Sequence, residues 1–201
     1  MAIFEKDEDY AAFERILTSA CARFPMRLLA YCLMPNHWHL VLWPQQDGDL
    51  SRFMRWLSLT HTQRWHHHRH SSGEGHLYQG RFKSFPVETN DSLLTVCRYV
   101  ERNALRAGLV ARAEAWPWSS AAQSSGVPLS AWPFERPSNW RAWINQDESG
   151  VALAEVRRSV TKNRPFGSEE WVAEVVSQWK LASTLRERGR PKKLRSVRNS
   201  T

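Results

Sequence analysis

The chain is short of cysteine and of long apolar runs. Its three cysteines, Cys21, Cys32 and Cys97, are odd in number and lie among apolar neighbours at no metal-ligand spacing. That excludes a disulfide scaffold and fits reduced core thiols of a cytoplasmic protein. No apolar run approaches the ~18 residues of a membrane span, and the start, Met-Ala-Ile-Phe-Glu-Lys-Asp-Glu-Asp, has no signal-peptide pattern. Acidic excess is absent too: the net charge is +8. It is unevenly placed, because residues 151–201 hold 12 Lys and Arg against 5 Asp and Glu, while residues 1–150 hold 16 against 15. A basic C-terminal region of this kind points to phosphate contact, and a solvated tail fits it equally well.

What is present is enough apolar residue to build a core, 42% of the chain, with 11 tryptophans. The most informative stretch is Tyr31-Cys32-Leu33-Met34-Pro35-Asn36-His37-Trp38-His39-Leu40-Val41-Leu42-Trp43, which predicts a strand, a Pro-Asn turn and a second strand. Strand side chains alternate between faces. His37 and His39 therefore share one side with Val41 and Trp43, about 7 Å apart at Cα, while Trp38, Leu40 and Leu42 point the other way. Two imidazoles side by side on a strand can clamp one divalent metal. A pair of exposed histidines in a hairpin gives the same pattern.

A second stretch, Asn90 to Val110, predicts a helix capped by Asn90 or Asp91 and ended by Gly108. Leu93, Cys97, Val100, Ala104 and Ala107 form its expected core stripe. Tyr99, Asn103 and Arg106 fall together on the flank of that stripe. A Tyr at the rim of the core would look the same from spacing alone.

Four motifs recur in order: L-M-P-N-H-x-H-L-V, then Q-G-R-F-K-S, then R-Y-V-E-x-N-x-x-R-A-G-L-V, then W-P-W-S-S. Together they resemble the IS200-like single-tyrosine (Y1, HUH-type) transposases, more narrowly the REP-associated tyrosine transposases, over roughly residues 3–122. The resemblance implies an enzyme that cleaves and rejoins single-stranded, hairpin-bearing DNA through a 5′-phosphotyrosine intermediate. It implies Tyr99 as nucleophile and His37, His39 and Asn103 as ligands of one Mg²⁺ or Mn²⁺. Asn103 is followed by Ala104 where Asn-Pro is common in the family; Ala is the better helix former and should keep Asn103 on the Tyr99 face. Arg81, Lys83 and Arg106 are expected to meet DNA phosphates near the site. IS200-type relatives act as dimers and the REP-associated group as monomers, so monomer and homodimer both stand as expectations.

The remaining elements follow from pattern. Asp7 to Arg23 reads as a first helix, with Tyr10, Phe13, Leu17 and Cys21 at helical spacing, and Leu50 to about Arg69 as a second. The latter ends in His66-His67-His68-Arg69-His70, which is no ligand cluster because neighbours on a helix splay by about 100°. Leu77 to Glu88 reads as a strand bent at Gly80, with Arg81 and Lys83 on one face and Phe82 on the other. Trp116 to Ser120 reads as a packing clasp. Residues 1–122 are thus expected to form the catalytic domain and 123–150 a connector folded back on it. Residues 151–201 form a helical extension with helices over Val151–Val160 and Ser168–Leu185. The extension ends in Arg188-Gly189-Arg190-Pro191-Lys192-Lys193, slim enough for an A·T minor groove.

The expected fold class is α+β, a ferredoxin-like antiparallel sheet with helices on one side and a C-terminal helical extension. Its first strand is expected to be absent from residues 1–201, since Met1 falls where relatives already enter the first helix, through either a start upstream of Met1 or decay of the copy. That predicts an open sheet position with unpaired backbone groups. Two rival readings share parts of the pattern. One is a DNA-binding relative without catalysis; the other is a metal-dependent hydrolase that would recruit Glu88 or Glu101 as further ligands.

Overall fold

A computed structural model describes residues 2–70, 75–122 and 126–186. Its order is α1 (Asp7–Arg23), β1 (Met26–Met34), β2 (His37–Pro44), α2 (Asp49–Arg69), α3 (Asp91–Glu101), α4 (Asn103–Arg106), α5 (Trp140–Asn145), α6 (Gly150–Lys162) and α7 (Glu169–Gln178). Short 3₁₀ turns lie at Ala113–Ala115 and Ala182–Leu185. The fold is α+β, as the sequence predicts.

β1 and β2 pair antiparallel, with Met34 opposite His37, Cys32 opposite His39 and Ala30 opposite Val41. A register shift between Leu28 and Ala30 leaves Leu29 as an extra residue. Beyond this bulge the face assignment flips. Leu28, Tyr31 and Leu33 join one core, with α1 and α2, through Phe13, Ile16, Leu17, Phe53 and Leu57. Leu29, Ala30, Cys32, Met34 and Val41 join another, with α3, through Leu93, Val96, Cys97 and Val100. The helices α1 and α2 therefore share one face of the hairpin, and α3 is laid on the opposite face, the one that carries His37 and His39.

The second edge of β1 is covered by the returning chain. Leu33 N donates to Trp118 O (2.8 Å), Ser120 N to Tyr31 O (2.9 Å) and Ser130 N to Leu28 O (2.8 Å). Tyr31 N adds a bond to Ser120 Oγ (3.0 Å), and the Trp118 ring stacks on Tyr10 with centroids 5.1 Å apart. Trp116–Ser120 is thus a clasp on β1, as expected. Among the described residues, no backbone hydrogen bond joins the far edge of β2 to another segment.

Three expectations need correction. Leu77–Glu88 is not a strand. Gly80 takes φ +104°, Pro86 has no N–H to give a ladder, and only Val87 bridges, to Phe166 in the extension. Arg81 and Lys83 accordingly lie on an exposed irregular segment and share no strand face. Ala107 is exposed, because it is the C-cap residue of α4 and lies beyond the buried stripe. Gly108 at φ +70° follows it, with its N–H on Leu105 O and that of Leu109 on Ala104 O, so the helix ends in a Schellman motif. The last predicted helix stops at Gln178, where Trp179 caps it and Lys180 enters the left-handed region at φ 57°.

The loop after α2 is tied to the first core by a polar chain. Trp38 Nε1 donates to Tyr78 Oη (3.1 Å), and Tyr78 Oη lies in hydrogen-bond contact with His61 Nδ1 (2.5 Å). His61 is 3% exposed, and burial pulls its pKa from 6.5 to about 4. The unfolded chain therefore binds a proton between pH 6.5 and 4 that the native state refuses, so His61 takes stability away as pH falls through that window. His61→Gln is expected to flatten the loss of melting temperature between pH 6.5 and 4. An unchanged pH profile would contradict this role.

Candidate functional site

The site is built where α3 crosses the His37/His39 face. The Asn90 side chain caps α3 by accepting from Ser92 N (2.7 Å), which starts the helix so that Leu93, Cys97 and Val100 point into the sheet. Tyr99 lies one position before Val100 and is 8% exposed, at the rim of that core. Its ring meets His39 edge-on at a centroid distance of 5.8 Å. The His37 and His39 rings are 4.9 Å apart at 89°. The hairpin histidines and the tyrosine of a helix 60 residues later thus converge within one chain.

Both imidazoles are held neutral. Burial, followed by the charges of His37 and Arg106, pulls the His39 pKa down to about 3. Partial desolvation and the Arg106 charge lower that of His37 as well, although His37 is exposed at the hairpin end. Neutral imidazoles carry the lone pair that a metal takes, with no proton to displace at pH 7. His37 Nδ1 lies 2.6 Å from Asn36 Oδ1. With the proton on Nδ1, that bond leaves Nε2 as the free ligand atom, the outer-shell arrangement usual for metal-bound histidine.

The chain bends at Arg102 (φ −83°, ψ −1°) between α3 and α4, yet the backbone bonds run on from Arg102 N to Arg98 O and from Ala107 N to Asn103 O. Asn103 therefore stays one turn after Tyr99 and is 7% exposed. Among the described residues, its Nδ2 is the buried side-chain nitrogen or oxygen left without a hydrogen-bond partner. A buried amide with an unmet polar atom costs about 1–3 kcal/mol. Turning the carboxamide over would put its carbonyl oxygen in that place. This orphaned group and the two neutral imidazoles fit a divalent cation. Among the described residues, no three His, Cys, Asp or Glu side chains gather as a ligand set.

Arg106 lies across the Tyr99 ring, its Cζ 4.1 Å from the centroid, and also donates to Tyr99 O (3.2 Å). Arg188, Arg190, Lys192 and Lys193 fall outside the described residues. The hydrolase reading loses its carboxylates. Glu101 is fully buried and accepts from Trp140 Nε1 (2.6 Å) and Ser120 Oγ (2.8 Å), with Arg136 at 3.4 Å. Glu88 accepts from Ser168 N (2.7 Å), beside Gly167, where a Cβ would come 2.7 Å from Glu88. Both tie the core to later segments and neither faces the histidines.

Sequence reasoning missed a second set of residues around the helix. Arg98 donates to Trp143 O (3.0 Å) and Gln146 O (2.7 Å). Arg102 donates to Ile144 O (2.9 Å), and Arg106 to Glu148 (2.9 Å). Their spacing at i, i+4 and i+8 on one helical face was the available signal.

Residues 2–103, about half of the chain, match the family described as Transposase IS200 like, and the chain belongs to that IS200-like transposase family. It is 23% identical over 116 residues to a Haemophilus influenzae protein named "Putative REP-associated tyrosine transposase". That alignment covers 54% of this chain and 66% of the relative, so the chain spans just under two thirds of that protein's length. No solved structure matches the chain.

Proposed function

We propose that this transposase-family protein cleaves and rejoins single-stranded DNA beside a hairpin, with Tyr99 as the nucleophile. The observation that carries the reading is the meeting of Tyr99 with the His37/His39 pair inside one chain, with centroids 5.8 Å apart at His39. In the proposed step the Tyr99 oxygen bonds to phosphorus while the bond from phosphorus to the 3′ oxygen breaks. The electron pair leaves with that 3′ oxygen, which takes up a proton, and the 5′ phosphate stays on the tyrosine. The phosphotyrosine conserves the bond energy, so a second 3′-OH reverses the step without ATP.

His37, His39 and Asn103 would hold the Mg²⁺ or Mn²⁺ that the family implies, and when bound it would supply Lewis-acid charge against a phosphate oxygen. The chain's own residues do the rest. Packing of α3 on Leu29, Cys32 and Val41 fixes where Tyr99 can be. The pairing of Cys32 with His39 and of Met34 with His37 holds both imidazoles on a rigid strand. Because these groups meet within one protomer, the reading favours action as a monomer. The exposed Arg81 and Lys83, and the basic tail with Arg188, Arg190, Lys192 and Lys193, would grip phosphates outside the scissile one. Residues 1–122 would form the catalytic unit and the rest its connector and extension.

The test is a covalent adduct. Incubated with a hairpin-bearing oligonucleotide and Mn²⁺, the protein should shift on a denaturing gel by the mass of the attached strand. Tyr99→Phe should abolish the shift and keep DNA affinity within about twofold, because the lost hydroxyl belongs to the chemistry and not to the grip. Cleavage products free of protein would argue for a hydrolase instead.

A further inference from the structure

Glu148 lies beyond the residues that match the family, 42 positions after Arg106, yet it reaches the nucleophile helix. Its Oε2 sits 2.9 Å from Arg106 Nη1 and 3.5 Å from Arg102 Nε. The three side chains are 10%, 14% and 9% exposed, so this is a nearly buried cluster of two guanidinium groups and one carboxylate. Asp147, by contrast, meets Arg102 with a fully exposed side chain and adds little. The segment that brings Glu148 in is pinned independently, by Arg98 on Trp143 O and Gln146 O and by Arg102 on Ile144 O. The other end of the Arg106 side chain's bonding is Tyr99 itself: the guanidinium lies over the ring at 4.1 Å and donates to Tyr99 O.

We infer that Glu148 is a positioning residue for the nucleophile: the connector is part of the site, because the Glu148 carboxylate holds Arg106 over the Tyr99 ring. This rests on the reading of Tyr99 as the attacking group. A guanidinium has several low-energy orientations on its flexible stem, and a buried carboxylate selects one. Arg106 then presents fixed positive charge beside the phenol oxygen's ring, where negative charge is handed from tyrosine to phosphate, and no reorganisation is needed during the reaction. The same contact admits an opposite reading, in which Glu148 stands in for a phosphate and masks Arg106. The two differ in the sign of the effect when the charge is removed.

Glu148→Gln keeps shape and removes the charge. Two readouts are taken. The first is the single-turnover rate of adduct formation at saturating hairpin oligonucleotide, with the half-saturating concentration measured alongside. The second is the NMR position of the Arg106 Nε–H in protein without DNA or metal, which the Tyr99 ring current displaces upfield and which Arg106→Lys identifies by its loss. The inference expects the rate to fall by roughly tenfold to a hundredfold, short of removing an oriented donor outright, with half-saturation within about twofold. It expects the Arg106 signal to lose its upfield displacement. An Arg106 signal that stays in place, or a rate that is unchanged or rises, overturns it. If the unaltered protein forms no adduct, the proposed function fails on its own, and the NMR arm still decides whether Glu148 holds Arg106. Should the Gln variant not fold, Glu148→Asp, which draws the charge back by one methylene, gives the same readouts in smaller measure.

Discussion

Glu101→Ala is expected to lower the unfolding free energy by roughly 3–5 kcal/mol, the range for removing one partner of a buried charged network. The side chain is fully buried at the end of α3, and three donors converge on it: Trp140 Nε1 at 2.6 Å, Ser120 Oγ at 2.8 Å and Arg136 Nη2 at 3.4 Å. The first two are themselves buried, so solvent does not replace the lost acceptor. Arg136, about a third exposed, contributes least. The donors come from two returns of the chain: Ser120 from the clasp on β1, and Trp140 and Arg136 from the segment before and into α5. For a chain of this size the expected loss is on the order of 10 °C in melting temperature. A loss below about 1 kcal/mol would mean that these donors find other acceptors, and that Glu101 does not anchor the helix that carries Tyr99.

His39→Ala should have the largest effect on the reaction after loss of Tyr99 itself. The imidazole is partly buried, kept neutral, and set between His37 and the Tyr99 ring. In the proposed function this neutral imidazole is one of the groups that would hold the cation. Loss of an outer-shell partner alone costs about 10–100-fold in comparable metal sites, so loss of the ligand is expected to cost at least about 100-fold in adduct rate. Chelation of the unaltered protein should reproduce the defect, and excess Mn²⁺ should restore the chelated protein but not fully the variant. Adduct formation by His39→Ala at close to the normal rate would remove the cation from the account and leave Tyr99 and Arg106 to carry it.

Much of this was legible from local pattern. The alternation of His37, His39, Val41 and Trp43 against Trp38, Leu40 and Leu42 needs only the two-residue strand period, and both faces are occupied as that period requires. The helices Asp7–Arg23 and Asp49–Arg69 carry their own apolar spacing, so their bounds follow from the sequence to within a residue. What failed depends on partners remote in sequence. Leu77–Glu88 has strand-like residues but no strand to lie against, and the polar chain from Trp38 through Tyr78 to His61 draws its start away instead. Glu101 looked like a spare carboxylate because nothing near it in sequence reveals that Ser120 and Trp140 will converge on it. The bulge at Leu29 was equally invisible, since it shows only as a shift in pairing. Nothing local reveals the tie of Arg106 to Glu148, which is set by how residues 140–148 fold back across α3 and α4.

The central claim is that one phenol, that of Tyr99, receives the DNA. The chain has four tyrosines, and the other three have structural settings: Tyr10 and Tyr31 in the first core, and Tyr78 bonded to His61 and Trp38. The most direct measurement is mass spectrometry of the proteolysed adduct formed with a hairpin-bearing oligonucleotide and Mn²⁺. The account predicts a nucleotide mass on the peptide containing Tyr99 and on no other. A nucleotide on Tyr10, Tyr31 or Tyr78, or a strand cut with no peptide modified, would contradict it.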